Sequence, residues 1–271
     1  MILVTGAAGS VGRALFPWLE HAVGTDSRWY DRHLDVTDAE EVEHWFERLK
    51  PELVYHLAGA KHAFEGELDP GRVAEVNITG TANVLASAGR YGSKVVFSST
   101  CKACDHETAY GASKLIAERL VLNAGGVVVR YYNIPESDGN VFRFWETLDP
   151  SEPVPFTDCW RYFISMEQAI TLTLAGAELP SGRYVTDPGL PQHMEQVAKR
   201  LYPERERKLI PRRRGDRERE PLHARCEWLY PRRDRVELGW PTVLTLKGIY
   251  SVLSPYEERL TEVAGTTLAV A

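Results

Sequence analysis

An α/β fold built on a doubly wound parallel sheet is the class this sequence predicts, and two observations predict it. Short apolar, β-branched runs alternate with segments of helical period through the first half of the chain, as parallel strands joined by crossover helices require. The first run leads straight into glycines at 6, 9 and 12, the spacing of a turn that opens a crossover helix. A chain of 271 residues, 44% hydrophobic and 26% charged, is also long enough to bury a large core.

Taken in order, the strands read from the sequence are Ile2–Thr5, Ala22–Thr25, 53–57, 94–98 and Val127–Tyr131, with one more expected within 29–34 ahead of Asp35. Helical periodicity places helices at 11–20, 38–50, 72–89 and 110–123 between them. Beyond Asn133 the pattern breaks into Gly, Pro, Asp and Ser, which predicts a smaller C-terminal lobe. Gly182–Thr186 is expected to return to the main sheet. The domain reading is therefore a Rossmann-type nucleotide-binding domain over 1–133 with a return segment at 156–187, and a substrate-binding lobe from 134–155 and 188–271. The charged stretch 205–219 reads as a solvated, mixed-charge surface.

Composition narrows the function classes. A net charge of −6 argues against an extended nucleic-acid binder. Met1 runs directly into an apolar strand and no window holds 18 uninterrupted apolar residues, so neither a leader nor a membrane span is expected and a cytoplasmic location is. Four cysteines suit a reducing compartment. Cys101 and Cys104 form a C-x-x-C spacing, but without a second pair no metal site is expected.

The glycine loop carries the first functional signal. Gly6 allows a tight turn, Gly9 lets backbone N–H groups approach a pyrophosphate, and Gly12 permits close helix–strand packing, with Ser10 and Val11 between them. The N-terminus of the following helix favours the anionic phosphates of a dinucleotide. Asp26, at the end of the second strand, stands where a carboxylate would accept hydrogen bonds from an adenosine ribose, which favours NAD. Arg28 suits a ribose phosphate, so NADP stays open. Asp35 and Val36 are placed to touch the adenine, although Asp35 equally suits the cap of the helix beginning near Asp38.

The second signal is Tyr110 and Lys114, four residues apart on one helical face. A lysine charge beside the phenol, with that of an oxidised nicotinamide, would lower the phenol's pKa and make it a usable base for a substrate hydroxyl. Ser99 or Thr100, at the end of the preceding strand, would hydrogen-bond the same hydroxyl.

Together these residues resemble the extended short-chain dehydrogenase/reductase family over residues 1 to about 250. Ser99 to Ala103 followed by Tyr110 to Lys114 is similar to the S-T-D-K-A … Y-G-A-[ST]-K block of the CapD-like nucleotide-sugar dehydratases, which act on UDP-N-acetylglucosamine. His56 to His62 resembles that branch's H-A-A-A-x-K-H segment, and Asn77 to Val84 its N-x-x-G-T-x-N-V helix. Arg130 to Asn133, with Gly139 to Val141, resembles R-x-G-N-V … G-S-V. Arg161 to Phe163 resembles T-R-[FY]-F, and Arg213 to Arg217 resembles R-P-G-E-K.

The resemblance implies that Leu57, Ala58 and Gly59 line the cofactor, that Lys61 and His62 face the substrate, and that Asn133, Arg161, Arg213 and Asp216 hold the nucleotide diphosphate and ribose of a UDP-sugar. It implies transient oxidation at carbon 4 by Tyr110, then loss of water across carbons 5 and 6 with Lys102 as the base or a shared acid–base group. It also implies a homodimer paired through the helices 72–89 and 110–123. Two positions depart from the pattern: Cys101 replaces an aspartate, and Tyr132 replaces the glycine before Asn133.

A thiol protonates a leaving hydroxyl only with help from its surroundings, and Lys102 would be placed to convert it to a thiolate. A slower 4,6-dehydratase, a 5,6-dehydratase and an enzyme without elimination all stay open, as does a Cys101 that merely fills space at a strand end. A UDP-sugar 4-epimerase needs the same Tyr110, Lys114 and Thr100 and is the alternative reaction. A non-catalytic NAD(P)-binding redox sensor, supported by the C-x-x-C pair, is the alternative of another class.

Overall fold

Leu3 and Val4, Val54 and Tyr55, and Val95 and Val96 are sequence neighbours that enter two different hydrophobic clusters, because successive side chains of a strand point to opposite faces. Both faces of the sheet are therefore covered, and the strands read as continuous apolar runs instead of alternating ones. The computed structural model describes residues 1–29, 31–104, 106–232, 235–237, 243–245 and 249–253.

In chain order the first half comprises β1 (Ile2–Thr5), α1 (Ser10–Leu15), β2 (Ala22–Thr25), α2 (Ala39–Leu49), β3 (Leu53–His56), α3 (Ala63–Leu68), α4 (Pro70–Ala74), a π-helical turn (Glu75–Thr79), α5 (Gly80–Tyr91), β4 (Lys94–Thr100) and α6 (Ala109–Asn123). The second half adds β5 (Val127–Tyr131), α7 (Val141–Thr147), β6 (Val154–Phe156), β7 (Trp160–Arg161), α8 (Met166–Gly176), β8 (Gly182–Thr186), β9 (Gln192–His193), α9 (Met194–Leu201), β10 (Arg207–Leu209) and β11 (Trp228–Pro231). A short antiparallel pair, β12 (Arg235–Glu237) and β13 (Val243–Thr245), precedes β14 (Ile249–Leu253).

The main sheet has the order β11-β14-β8-β5-β4-β3-β1-β2. Pairing is parallel from β2 across to β8, and antiparallel from β8 to β14 and on to β11. The fold class is the one read from the sequence. The chain leaves β1 for β2 on one side and returns to β3 on the other, so a crevice opens beyond the carboxyl ends of these strands, where ligands bind in doubly wound sheets.

Several elements differ from the sequence reading. No strand forms among the described residues of 29–34, and Tyr30 lies outside them. The backbone of Asp26 instead ties up this stretch, accepting from Trp29 and Leu34 and donating to Arg32. The helix expected over 11–20 stops at Leu15 and tightens into a 3₁₀ turn over Phe16–Trp18, because Pro17 has no N–H to continue the ladder. The helix expected over 72–89 is carried by α4, the π turn and α5. Asp38, not Asp35, caps α2 by accepting from the N–H groups of Glu40 and Glu41.

The later chain also departs from expectation. β11 and β14, read as parts of the lobe, extend the main sheet and cover the edge that β8 would otherwise expose. Residues 254–271 of the expected lobe lie outside the described residues. Beside the sheet, Trp145, Val154, Phe156, Met194 and Val197 form a separate small core under α7 and α9. The charged stretch 205–219 is more than a solvated surface: β10 pairs with β6, Arg214 lies 3.5 Å from Glu67 on α3, and Arg217 donates to the Cys104 carbonyl. Among the described residues, no helix is long and apolar enough to cross a membrane.

Candidate active site

A cleft of about 810 Å³ lies over the carboxyl ends of the central strands. Its floor begins at Gly6, whose φ of +72° is a left-handed conformation, and a Cβ there would fall 2.5 Å from the Ala58 nitrogen. A Cβ on Gly12 would meet the Gly6 carbonyl at 2.6 Å, so α1 can approach β1 only with glycine at this position. Gly6, Gly9, Ser10, Val11, Gly12, Asp26, Asp35, Val36, Leu57, Ala58 and Gly59 all line the cleft. Glycines where a side chain would intrude, followed by a helix N-terminus, fit the diphosphate of a dinucleotide.

Asp26 is buried and accepts from the Ala8 N–H at 3.1 Å, from the Arg28 N–H at 3.0 Å and from the Arg28 guanidinium at 2.8 Å. Burial alone would raise its pKa, but the bonds from Arg28 and Ala8 hold it below the ordinary carboxylate value. Arg28 itself stays mostly exposed at the cleft lip. Asp35 accepts from the N–H and hydroxyl of Thr37 and lies 3.5 Å from Arg72.

On the opposite wall, β4 delivers Ser99 and Thr100 while α6 delivers Tyr110 and Lys114. Thr108 caps α6 by accepting from the Gly111 N–H, which fixes where the helix starts and so where Tyr110 stands. Thr100, Lys102, Tyr110, Lys114 and Asn133 line the cleft together with Lys61 and His62. Ser99 is at its edge, but its hydroxyl is donated to Glu118 at 2.5 Å, so of the two hydroxyls considered for the substrate only Thr100's faces the phenol.

The electrostatics revise the expected pairing. Burial raises the Tyr110 pKa, and the groups that pull it back are the Lys102 cation and a hydrogen bond from Thr100. Lys114 is not the dominant charge on the phenol. It is buried, its Nζ lies 4.2 Å from the centre of the Phe97 ring, and desolvation lowers its pKa to about 7. Beneath it His56, bonded to Thr5 and Thr81, is pushed down to about 3 by burial and by the Lys114 charge, and stays neutral.

Lys102 is equally changed. Burial acts against its charge, but Glu220 outweighs burial and holds the ammonium above its ordinary pKa. A lysine so held cannot serve as the free base that the sequence reading allowed it to be. Cys101 is buried, donates weakly to Glu220 at 3.7 Å and is pushed up to about 12 by burial and that carboxylate. It is a neutral thiol outside the cleft lining, neither a thiolate nor an accessible acid. Cys104 is buried as well and both cysteines are free, an arrangement poorly suited to sensing an oxidant in solution.

Three other predicted residues lie away from the cleft lining. Arg161 bonds the Trp160 carbonyl and lies 3.4 Å from Glu220. Arg213 is exposed with its guanidinium over the Phe64 ring, and its N–H donates to Asp216.

Sequence reasoning missed Asn77, Asp138 and Glu220. Asn77 sits in the π turn, accepts from the Ala60 N–H at 2.9 Å and donates to the Ala60 carbonyl and to Ser113. It pins the loop after β3 so closely that a Cβ on Gly59 would fall 3.0 Å from its Oδ1 and 3.4 Å from the Lys114 Nζ. Asp138 straps the loop after β5 across the cleft: its carboxylate meets Arg13, its N–H donates to Ser10, and its carbonyl accepts from Lys61. For Asn77 the signal available was its place at the head of the N-x-x-G-T-x-N-V segment; periodicity shows neither the π turn nor the loop that it grips.

A glycine-cradled cleft with a Tyr–Lys pair on its far wall, over the carboxyl ends of a parallel sheet, places the chain in the doubly wound α/β class. The family model for "Polysaccharide biosynthesis protein" matches residues 30–231, more than half of the chain, and the chain belongs to that family. It is 29% identical over 237 residues to the probable polysaccharide biosynthesis protein EpsC of Bacillus subtilis, covering 74% of this chain and 40% of that one. It is 30% identical over 181 residues to the UDP-N-acetylglucosamine 4,6-dehydratase (inverting) of Campylobacter jejuni, covering 61% of this chain and 54% of the relative. The chain thus spans about half the length of these relatives. Among solved structures, the UDP-glucose 4-epimerase of Thermotoga maritima with UDP-glucose superposes with a TM-score of 0.72 at 23% identity, covering 83% of this chain and 90% of that one.

Proposed function

We propose that this chain is an NAD(P)-dependent nucleotide-sugar dehydratase acting on a UDP-hexose such as UDP-N-acetylglucosamine. The observation that carries the reading is the convergence in one cleft of the glycine cradle, Thr100, Tyr110 and the charged Lys102. Gly6, Gly9 and Gly12 would hold the dinucleotide's phosphates, and Asp26 favours NAD, while Arg28 leaves room for NADP. When bound, the nicotinamide supplies reversible hydride acceptance.

The protein's own groups then manage protons. Tyr110 Oη takes the proton of the carbon 4 hydroxyl, with Thr100 orienting that hydroxyl and Lys102 stabilising the phenolate that makes the transfer possible. The ketone so formed acidifies carbon 5; the carbon 5 proton and the carbon 6 hydroxyl would leave together as one water, with the Lys102 ammonium, held charged, hydrogen-bonding the departing oxygen without giving up its own proton. A 4-epimerase is the second reading. It is favoured by the absence of Cys101 from the cleft and by the loss of Lys102 as a free base.

Incubation with UDP-N-acetylglucosamine and cofactor, followed by product mass, decides between them. Loss of one water is expected. Unchanged mass with inversion at carbon 4 transfers the assignment to an epimerase, and no conversion with either cofactor sinks both. The same reading proposes a cytoplasmic homodimer paired through the helices 72–89 and 110–123, and the division of the chain into a cofactor domain and a substrate lobe.

A further inference from the structure

Glu220 belongs to the C-terminal segment, yet its side chain is only 2% exposed and stands among the groups of the cleft wall. Its Oε1 lies 2.8 Å from the Lys102 Nζ and 3.4 Å from the Arg161 Nε. Its Oε2 accepts from the Asn133 Nδ2 at 2.6 Å and from the Cys101 thiol at 3.7 Å. Lys102 in turn donates to the Asn133 Oδ1 at 3.1 Å. Lysine, asparagine and glutamate therefore close a ring that fixes both the amide and the ammonium, although a lysine stem is otherwise flexible.

The segment bearing Glu220 is itself anchored. The hydroxyl of Tyr132 donates to the Leu222 carbonyl at 2.8 Å, so the tyrosine that replaces a glycine in the family pattern holds the carboxylate in register. Cys101, the other departure, supplies no charge at a position where the pattern has a carboxylate. The two departures meet at one point: the anion beside Lys102 comes from Glu220, across the fold.

We infer that Glu220 is a positioning residue, which fixes Lys102 as a permanent cation against the Tyr110 phenol and supplies the carboxylate that position 101 lacks. At the phenol the two charges oppose each other, Lys102 lowering the Tyr110 pKa and Glu220 raising it. The inference rests on Tyr110 being the reactive phenol of the proposed function. The groups facing Lys102 are Glu220, Asn133, Cys101 and Tyr110, and of these only Glu220 is an anion at neutral pH.

The test needs no substrate. The folded chain of 271 residues is acetylated with trace acetic anhydride across a pH series, and Lys102 and Lys114 are read separately by peptide mass spectrometry. Wild-type Lys102 is expected to react only at the alkaline end. Glu220→Gln should raise the labelling of Lys102 relative to Lys114 about tenfold or more near pH 9, the effect of about one pKa unit, and Glu220→Asp should restore part of the protection. An unchanged ratio, or an equal rise at both lysines from general loosening, overturns the inference. Failure of UDP-sugar conversion by the wild type would sink the functional reading alone and leave the labelling result standing.

Discussion

Tyr110 and Lys114 are buried side by side, and burial penalises the charged form of each. Tyr110→Phe removes the only proton acceptor aimed at the substrate hydroxyl in the proposed reaction. Hydride transfer, followed as nicotinamide absorbance, should fall by about 10²–10⁴-fold or more, while cofactor affinity by calorimetry stays near the wild type. Preserved transfer would remove the central claim. Lys114 yields a stability prediction. Its pKa is lowered to about 7 in the folded chain, whereas an unfolded lysine holds its proton to near 10.5. Between those values the unfolded state binds more protons, so this group's cost to stability grows as pH falls from about 10.5 to about 7 and then levels off. Lys114→Met should relieve that cost. Its melting temperature should exceed the wild type's at neutral pH, by about 2–4 °C for each kcal/mol relieved, and the gap should shrink toward pH 10. A gap that is constant across the series would mean that packing, not charge, sets it.

At the scale of elements, the loop from β1 into α1 and the strap after β5 shape the cleft. Gly6→Ala forces a side chain onto a left-handed backbone and into the Ala58 nitrogen. Strain of this kind costs about 1–3 kcal/mol, so both the urea midpoint and NAD(P) affinity should drop together. A variant that binds cofactor normally would show that the loop relaxes around the methyl. The π turn plays the matching part on the other wall, since it places Asn77 to grip Ala60 and hold the loop after β3 against Lys114.

Across the whole molecule, a buried charge network ties the C-terminal segment to the sheet. Arg130 on β5 bonds Glu118 on α6 at 2.7 Å and Glu227 at 2.6 Å, and Arg183 on β8 lies 2.8 Å from Glu118 and 3.5 Å from Glu227. Removing one member of such a set leaves charge uncompensated in a low-dielectric interior. Glu227→Ala is therefore expected to cost about 3–5 kcal/mol, read from denaturant unfolding. The same change should loosen the segment that presents Glu220, so the Lys102 labelling described above should rise as well. A stable variant with unchanged labelling would show that Tyr132 alone holds the segment.

The strands at 2–5, 22–25, 53–57, 94–98 and 127–131, the glycine turn and the four-residue spacing of Tyr110 and Lys114 were legible in the sequence, because each rests on local chemistry: periodicity, a left-handed turn, a helical repeat; α3 was not foreseen. The strand expected near 29–34 does not form among the described residues, where the backbone bonds of Asp26 to Trp29, Arg32 and Leu34 override a short apolar run. The charge states of the site were decided only by tertiary structure. Cys101 and Lys102 look like a thiol and a base when read beside each other. Burial, helped by Glu220, keeps the first a neutral thiol, and Glu220, 119 positions from Cys101 and 87 from Asn133, makes the second a fixed cation. Local sequence determines which groups are present at the cleft wall. Which of them carries a charge depends on what the fold buries against them, and that partner arrives from the far end of the chain.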